Sequence, residues 1–311
     1  MNNHSAFEKI VGNLSEDKKE KLLLEKKEIF SNQNLEEIKG KEKLKTPEEI
    51  ELISLANQAT NEIRNKYGLD NFDIPPNNIH IIEENFWVKK YKENTRAGAI
   101  YLPKMQAVLV PEVPSPTLFF IRTFHEMIHF KSYNALQITN TAFRGLEIYR
   151  LGLMVVSRDK EDVYFTNLNE AVTEKMTMKY ASRFFNNPLI SSDVEQKKNY
   201  VKEHHLSQKE AEEIICVRQG KNSKDQPEVY HWGYPTARKI LDNLIDKLFK
   251  KNNDKFQNRD EVFEVFEKSA MTGNLLPIGR LIDGTFGRGT LHELSNLDKD
   301  IKAQLEFVNL L

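Results

Sequence analysis

The chain has 311 residues, 39% of them hydrophobic, and a formal net charge of −1 at pH 7, which is typical of a globular protein with a polar surface. Its 45 Lys and Arg stand against 46 Asp and Glu, so we expect no nucleic-acid or membrane partner. The single Cys216 excludes an internal disulfide framework and a cysteine-rich metal site. A signal-peptide pattern and a long apolar run are both missing, which predicts a cytoplasmic protein.

Residues 1–45 are predicted to form a charged N-terminal arm, helical or flexible. Between Ser15 and Lys45, nine Lys are mixed with eight Asp or Glu. A charge run of this kind is typical of a solvated helix or tail, and it can also dock on another protein. The arm is therefore our candidate surface for a protein partner.

A folded domain is predicted over residues 46–190. Thr46, Pro47 and Glu49 form the start of a helix with a capping box, and Gly68 ends that helix. Apolar periodicity and turn residues then give the next elements. In chain order these are a strand over 79–82, a hairpin with strands over 97–102 and 105–110, a helix over 117–133, strands over 143–149 and 151–157, and a helix over 168–185.

Residues 191–311 are predicted to be helical and to complete a cleft on the domain. The expected helices are 192–218, 235–251, 259–271 and a set of short pieces reaching residue 311. The predicted fold class is therefore α+β. A small mixed sheet with an edge hairpin packs on helix 117–133, and a largely helical C-terminal half follows.

The run Phe124-His125-Glu126-Met127-Ile128-His129 carries the clearest chemical signal. Residues four apart lie on one face of a helix, so His125 and His129 can bind one Zn²⁺ through a ring nitrogen each. Glu126 lies beside them, where it can reach water instead of the metal. The structural alternative is a core helix in which Arg122 and Glu126 form an i,i+4 ion pair. Two buried histidines without a partner would cost free energy, which favours the metal site.

A tetrahedral catalytic zinc needs a third protein ligand and one open position. Glu170, in the segment NEAVTE, is the candidate ligand. Glu174 lies on the same helical face and can accept a hydrogen bond from a ligand imidazole, and Asn169 is expected among the supporting residues. The structural alternative makes Asn167 an N-cap and Glu170 its partner in the first turn.

HEMIH followed by NEAVTE resembles the gluzincin branch of the zincin metallopeptidases, which includes the thermolysin-like enzymes. The resemblance covers residues 97–185 and implies a zincin-like fold, with an edge strand that pairs with extended substrate. It implies that the two His and Glu170 bind one zinc ion and that Glu126 is the general base. It also implies that Glu174 supports the first His.

The chain departs from the thermolysin-like members in spacing. Forty residues separate His129 from Glu170, which is more than in those enzymes. The strand-like segment 143–157 can fill this gap. In this respect the sequence is more similar to intracellular bacterial and phage metallopeptidases.

A zincin also needs a hydrogen-bond donor for the oxyanion that forms during hydrolysis. The run Tyr230-His231-Trp232-Gly233-Tyr234-Pro235 is the best source. Tyr234 is the first candidate and His231 the second, with Arg238 as a partner for a carboxylate or the oxyanion. The structural alternative is an aromatic anchor that seats helix 235–251 on the core.

The sequence therefore predicts a metallopeptidase with one Zn²⁺ per chain that hydrolyses peptide or protein substrates. Two other functions stay open. One is a different zinc-dependent amide hydrolase, and the other is a catalytically silent zincin-like module for binding or regulation.

Overall fold

Twelve α-helices and three small sheets make up the described part of the chain, residues 7–31, 35–38, 40–92, 98–138, 146–218 and 227–311 of a computed structural model. This architecture confirms the α+β class. The strands are β1 (Lys9–Val11), β2 (Glu42–Lys43), β3 (Ile79–Ile82), β4 (Ile100–Leu102), β5 (Ala107–Pro111), β6 (Asn134–Ile138), β7 (Leu146–Leu151), β8 (Met154–Val156), β9 (Val163–Tyr164), β10 (Ile214–Arg218) and β11 (Glu228–His231).

The helices account for most of the remaining described residues, and none of them is long and apolar enough to cross a membrane. They are α1 (Glu16–Ser31), α2 (Pro47–Lys66), α3 (Glu84–Trp87), α4 (Pro116–Lys131), α5 (Thr166–Ala181), α6 (Pro188–Glu203), α7 (Gln208–Glu212), α8 (Pro235–Lys251), α9 (Arg259–Thr272), α10 (Leu276–Phe286), α11 (Thr290–Asn296) and α12 (Ile301–Leu310).

A four-stranded mixed sheet in the order β2-β3-β5-β4 packs on α4. The predicted hairpin is present, because β4 pairs antiparallel with β5 and lies at the edge of the sheet. A short 3₁₀ turn over Pro103–Met105 and a left-handed Gln106 (φ +50°) connect the strands. The second strand therefore begins at Ala107, two residues later than predicted. Ala97, where the first strand was predicted to begin, lies outside the described residues.

A five-stranded sheet in the order β1-β6-β7-β8-β9 occupies the long stretch between the two predicted metal-binding motifs. The predicted strands over 143–149 and 151–157 correspond to β7 and β8, although 143–145 lie outside the described residues. The sequence reasoning missed three strands of this sheet: β1, which lies in the arm predicted to be helical or flexible, β6, which follows α4 directly, and the two-residue β9. This sheet explains how 40 residues fit between His129 and Glu170 while the two helices stay adjacent.

The described part of the N-terminal arm is docked on the rest of the chain. Strand β1 pairs in parallel with β6. At the end of α1, Phe30 is buried and packs edge-on against Phe72 and Phe130, with ring centroids 6.2 Å and 5.8 Å away. Residues 1–6, 32–34 and 39 of the predicted arm lie outside the described residues. The proposed protein partner of this arm stays a prediction.

The prediction of helix throughout 192–218 is wrong. Helix α6 ends at Glu203, and after the short α7 the chain forms β10, which pairs antiparallel with β11. The physical reason lies in Ile214, Ile215 and Val217, because β-branched side chains are restricted in a helix and pack well on a pleated surface. The first four residues of β10 are all buried. The predictions over 235–251 and 259–271 are confirmed by α8 and α9.

An aspartate far along the chain caps the N-terminus of α5. The Asp298 carboxylate accepts hydrogen bonds from the backbone N–H of Thr166 (2.6 Å) and of Asn167 (3.0 Å). The preceding residue, Phe165, has a left-handed backbone and no side-chain cap. The suggestion that Asn167 is the N-cap is therefore wrong, since this residue lies inside the first turn. Its side chain instead donates to the carbonyl oxygen of Asp298 at 2.8 Å.

Replacing Asp298 with Ala should lower the free energy of unfolding by about 1–2 kcal/mol, because two backbone N–H groups in the first turn of α5 lose their hydrogen-bond acceptor. Urea denaturation followed by circular dichroism measures this change. Asp254→Ala, at an exposed turn after α8, is the control and should change stability by less than about 0.5 kcal/mol. Equal stability of the Asp298 variant and the wild type would contradict the capping role.

Candidate metal centre

Helix α4 presents two histidines on one face. Ser115 caps this helix by accepting a hydrogen bond from the N–H of Leu118 at 3.0 Å, and Pro116 occupies its first position. Fourteen of its sixteen residues are buried, so the helix runs through the core. His125 and His129 are only 5% and 4% exposed. Polar groups buried this deeply need partners.

The partner comes from the adjacent helix α5, which brings Glu170 to the two imidazoles. The three ligand atoms form a nearly equilateral triangle. His125 Nε2 and His129 Nε2 are 3.2 Å apart, and Glu170 Oε2 lies 3.4 Å from the first and 3.3 Å from the second. A tetrahedral ion with bonds of 2.0–2.1 Å needs its ligands about 3.3–3.4 Å apart. The spacing of this group is therefore compatible with one metal ion.

Hydrogen bonds couple the protonation of the imidazoles to that of Glu170. His125 Nδ1 lies 2.7 Å from Glu174 Oε2. Burial lowers the pKa of His125, but hydrogen bonds with Glu170 and Glu174 raise it well above its ordinary value, so a metal ion would replace a proton at Nε2. Burial raises the pKa of Glu170, but the charge of His129 and hydrogen bonds with both imidazoles outweigh this effect, and the net pKa lies below its ordinary value. Glu170 is therefore a carboxylate, the form that binds metals.

Glu126 lies beside the triangle and is not part of it. Its Oε2 accepts a hydrogen bond from the backbone N–H of Tyr101 in β4 at 2.8 Å. Burial raises the pKa of Glu126, and the nearby histidines oppose this. The ion pair between Arg122 and Glu126 that defined the core-helix alternative does not form, since Glu126 is held by Tyr101 instead. The other carboxylate oxygen of Glu126 is free to face the cavity.

A series of hydrogen bonds and one ion pair holds Glu174, the hydrogen-bond partner of His125, in place. Glu174, which holds the imidazole, also accepts a hydrogen bond from the N–H of Gly233 at 2.5 Å. The Gly233 carbonyl in turn accepts from Arg238 Nε at 2.8 Å. Arg238 forms a bidentate pair with Glu213, with Nη2 and Oε2 2.5 Å apart. Arg238 thus has a carboxylate partner, as predicted, but it supports the loop and does not line the cavity as an oxyanion donor.

Asn169 lies against the second histidine. Its Nδ2 lies 3.4 Å from His129 Nδ1, and its Oδ1 accepts from the N–H of Leu153 at 2.9 Å. Gly152 makes this approach possible, because a Cβ at that position would lie 2.5 Å from Asn169 Oδ1. Gly152 also has a φ of +56°, which favours glycine. The supporting role of Asn169 stays a prediction, because an amide donor at His129 Nδ1 favours a ring proton on Nε2.

Tyr234 lies over the open side of the triangle. Its ring is parallel to that of His125, with centroids 5.8 Å apart. Burial, the carboxylates of Glu170 and Glu126 and a hydrogen bond to Glu170 raise the pKa of Tyr234, so the phenol stays protonated. Tyr234 is 41% exposed, whereas Trp232 is 6% exposed and belongs to the core. The role of aromatic anchor therefore falls to Trp232.

A cavity of about 230 Å³ opens beside the triangle. His231, the second candidate donor, is exposed at the end of β11 and lines this cavity together with Tyr234. A neighbouring cavity of about 440 Å³ shares three lining residues with the first. These shared residues are Gly98, Arg122 and Tyr230.

Sequence reasoning missed the backbone groups that orient the side chains. Every residue except proline has a backbone N–H, so the identity of Tyr101 does not indicate that its N–H binds Glu126. The glycine at position 233 is a partial indication, because a Cβ there would lie 3.2 Å from Glu174 Oε1. Asp298 was also missed, since its contact with α5 spans 132 positions.

Comparison with protein-family models, curated proteins and solved structures finds no significant match to this chain. The geometry of the site therefore carries the functional inference.

Glu174→Gln should weaken the binding of Zn²⁺ by roughly ten- to a hundredfold, because the amide offers one acceptor oxygen where the carboxylate has two and polarises the imidazole less. Competition with a chromogenic chelator measures the affinity. Glu195→Gln, an exposed glutamate paired with Lys198, is the matched control and should leave the affinity unchanged. An unchanged affinity in the Glu174 variant would show that His125 does not depend on this contact.

Proposed function

We propose that the chain is a zinc-dependent metallopeptidase in which His125, His129 and Glu170 bind the metal. The single observation that carries the proposal is the triangle of ligand atoms with sides of 3.2–3.4 Å, which fits a tetrahedral ion. Two imidazoles and one carboxylate are a common ligand set of catalytic zinc, and three protein ligands leave one position for water or substrate. The cavity is lined by His125, Glu126 and Tyr234.

The arrangement of helices and strands around the triangle supports a metallopeptidase of the gluzincin type. The helix with both histidines packs under a small mixed sheet whose edge strand is β4, and the next ligand comes from a second helix. An edge strand has unpaired backbone groups that can bind an extended peptide. Gly98 and Ala99, just before β4, line the cavity. A peptide lying along this edge would pass both Glu126 and the triangle.

Zinc, when bound, supplies a Lewis acid and makes water available as a nucleophile near neutral pH. Glu126 takes the proton from the attacking water and passes it to the leaving amine. The N–H of Tyr101 fixes one oxygen of Glu126, which leaves the other oxygen to accept a proton at the cavity that Glu126 lines. This fixed position reduces the reorganisation that proton transfer requires.

Tyr234 is the proposed donor to the oxyanion. Its hydroxyl is held protonated beside Glu170, and donors aimed at a developing negative charge stabilise the transition state strongly. The left-handed backbone of Tyr234, with φ +52° and ψ +44°, directs the ring over His125 at the start of α8. His231 lines the same cavity and is the second candidate.

Metal content tests the site first. Wild-type protein prepared with sufficient metal should contain one zinc per chain, and Glu170→Ala should lose it or bind it much more weakly, because one corner of the triangle disappears. Elemental analysis measures both. His204→Ala, which removes an exposed histidine of the turn after α6, is the control and should retain the metal. A wild type without zinc would overturn the proposal.

Glu126→Gln tests the mechanism. The amide can still accept from the N–H of Tyr101 but cannot take a proton, so peptide hydrolysis should fall by roughly 10²- to 10⁴-fold while the zinc content stays the same. Cleavage of a peptide library followed by mass spectrometry, together with elemental analysis, measures both quantities. Glu195→Gln should retain activity. Equal loss of zinc in the Glu126 variant would make Glu126 a structural residue and contradict the mechanism.

The same experiments separate the other functions. A wild type that binds zinc and cleaves no peptide in a broad library, but hydrolyses other amides, would indicate a different zinc amide hydrolase. A wild type that binds zinc and hydrolyses neither would indicate a binding or regulatory module.

A further inference from the structure

Arg122 lies one turn before His125 on α4 and takes no part in the metal centre. It is partly buried, and burial lowers the pKa of its guanidinium below the ordinary value, although an arginine stays protonated at neutral pH. Among the described residues, no carboxylate lies within ion-pair distance of it; Glu84, which also lines the larger cavity, acts on its charge from farther away. A partly buried arginine with no carboxylate in contact can still bind an anion.

The guanidinium lies where the two cavities meet, since Arg122 lines both. It lies against Gly98, where a Cβ would be 2.9 Å from Arg122 Nε. Gly98 thus provides the space that the Arg122 side chain occupies beside the edge strand. The position is part of the same groove as Glu126 and the metal triangle.

Arg122 is also the only Lys or Arg among the residues that line the smaller cavity. The two carboxylates there are already engaged, Glu126 by the N–H of Tyr101 and Glu174 by His125 and Gly233. Near Arg122 the cavity is also lined by apolar residues, including Leu118, Ile121 and Ile215. A cation flanked by apolar side chains attracts an anion more strongly than one surrounded by water.

We propose that Arg122 binds a carboxylate of the peptide substrate and so selects which peptide bond reaches Glu126. This inference rests on the proposed peptidase function. Arg122 and Glu126 are four residues apart, which is about 6 Å along a helix axis and about the length of two residues of extended chain. The carboxylate therefore lies within one or two residues of the bond that is cleaved. It comes from a free C-terminus or from an Asp or Glu side chain.

Matched peptides distinguish these two sources. One apolar sequence is prepared with a free C-terminal carboxylate and with a carboxamide, and the amidated form is prepared again with a single Glu or Gln at each position. The zinc-loaded protein should prefer one carboxylate-bearing series over its neutral match by roughly ten- to a hundredfold in kcat/KM, as expected for a charged bidentate contact. Cleavage positions come from mass spectrometry. Equal rates for all matched pairs would overturn the inference and leave the peptidase proposal intact.

Arg122→Met should remove this preference, and Arg122→Lys should retain part of it, because lysine keeps the charge but loses the planar fork. Arg280→Met, an exposed arginine of α10 that lines neither cavity, should keep the full preference. Thermal unfolding and zinc content show whether each variant is folded. If the Met variant does not fold, the Lys variant decides, and a preference equal to that of the wild type would contradict the role of Arg122.

A binding measurement separates failure of this inference from failure of the proposed function. Fluorescence anisotropy with the labelled carboxylate and carboxamide peptides, on metal-free Glu126→Gln protein, needs no hydrolysis. Tighter binding of the carboxylate peptide or of the Glu-containing peptide, lost in the Glu126→Gln, Arg122→Met double variant, would support the carboxylate site even if the chain cleaves nothing. Equal binding of all peptides would overturn it.

Discussion

The close approach of three ligand atoms from two buried helices is the constraint on which the rest of the structure depends. A carboxylate and two imidazoles within 3.4 Å of one another need either shared protons or a cation between them. Helices α4 and α5 must therefore pack in one register, because a shift of a single residue would turn Glu170 away from His125 and His129. The capping of α5, the five-stranded sheet between the helices and the contacts of Glu174 all serve to keep this register.

Backbone N–H groups hold the acidic side chains in place. Tyr101 of the edge strand β4 donates to Glu126, and Gly233, two residues after the end of β11, donates to Glu174. Both donors line or adjoin the cavity beside α4. Groups fixed in this way do not need to reorganise when charge moves during a reaction. In the proposed enzyme, these backbone groups would thus contribute to catalysis by orienting the carboxylates.

Sequence patterns predicted the structural elements that are determined by residues close to one another in the chain. The capping box at Thr46, the helix with both histidines and the hairpin depend on neighbours within a few positions, and the structure has them. The approach of His125 and His129 was predicted because helical geometry fixes their spacing, and Glu170 of α5 lies beside them; the metal itself stays a proposal. Strand β10 was predicted as helix, since its character depends on pairing with β11 across the sheet. Contacts such as that of Asp298 with α5, 132 positions apart, follow from tertiary packing that no local pattern encodes.

That long-range cap has a consequence for how the protein matures. A contact between positions 132 residues apart closes a large loop, and such contacts form late in folding. Until Asp298 has been synthesised and has packed, the first turn of α5 lacks its acceptor and frays, and Glu170 lies only one turn further on. The histidines of α4 can reach each other earlier, because they are part of one helix. Assembly of the three side chains therefore depends on a residue 128 positions after Glu170, and in the proposed enzyme the site would stay incomplete on the nascent chain until that residue has packed.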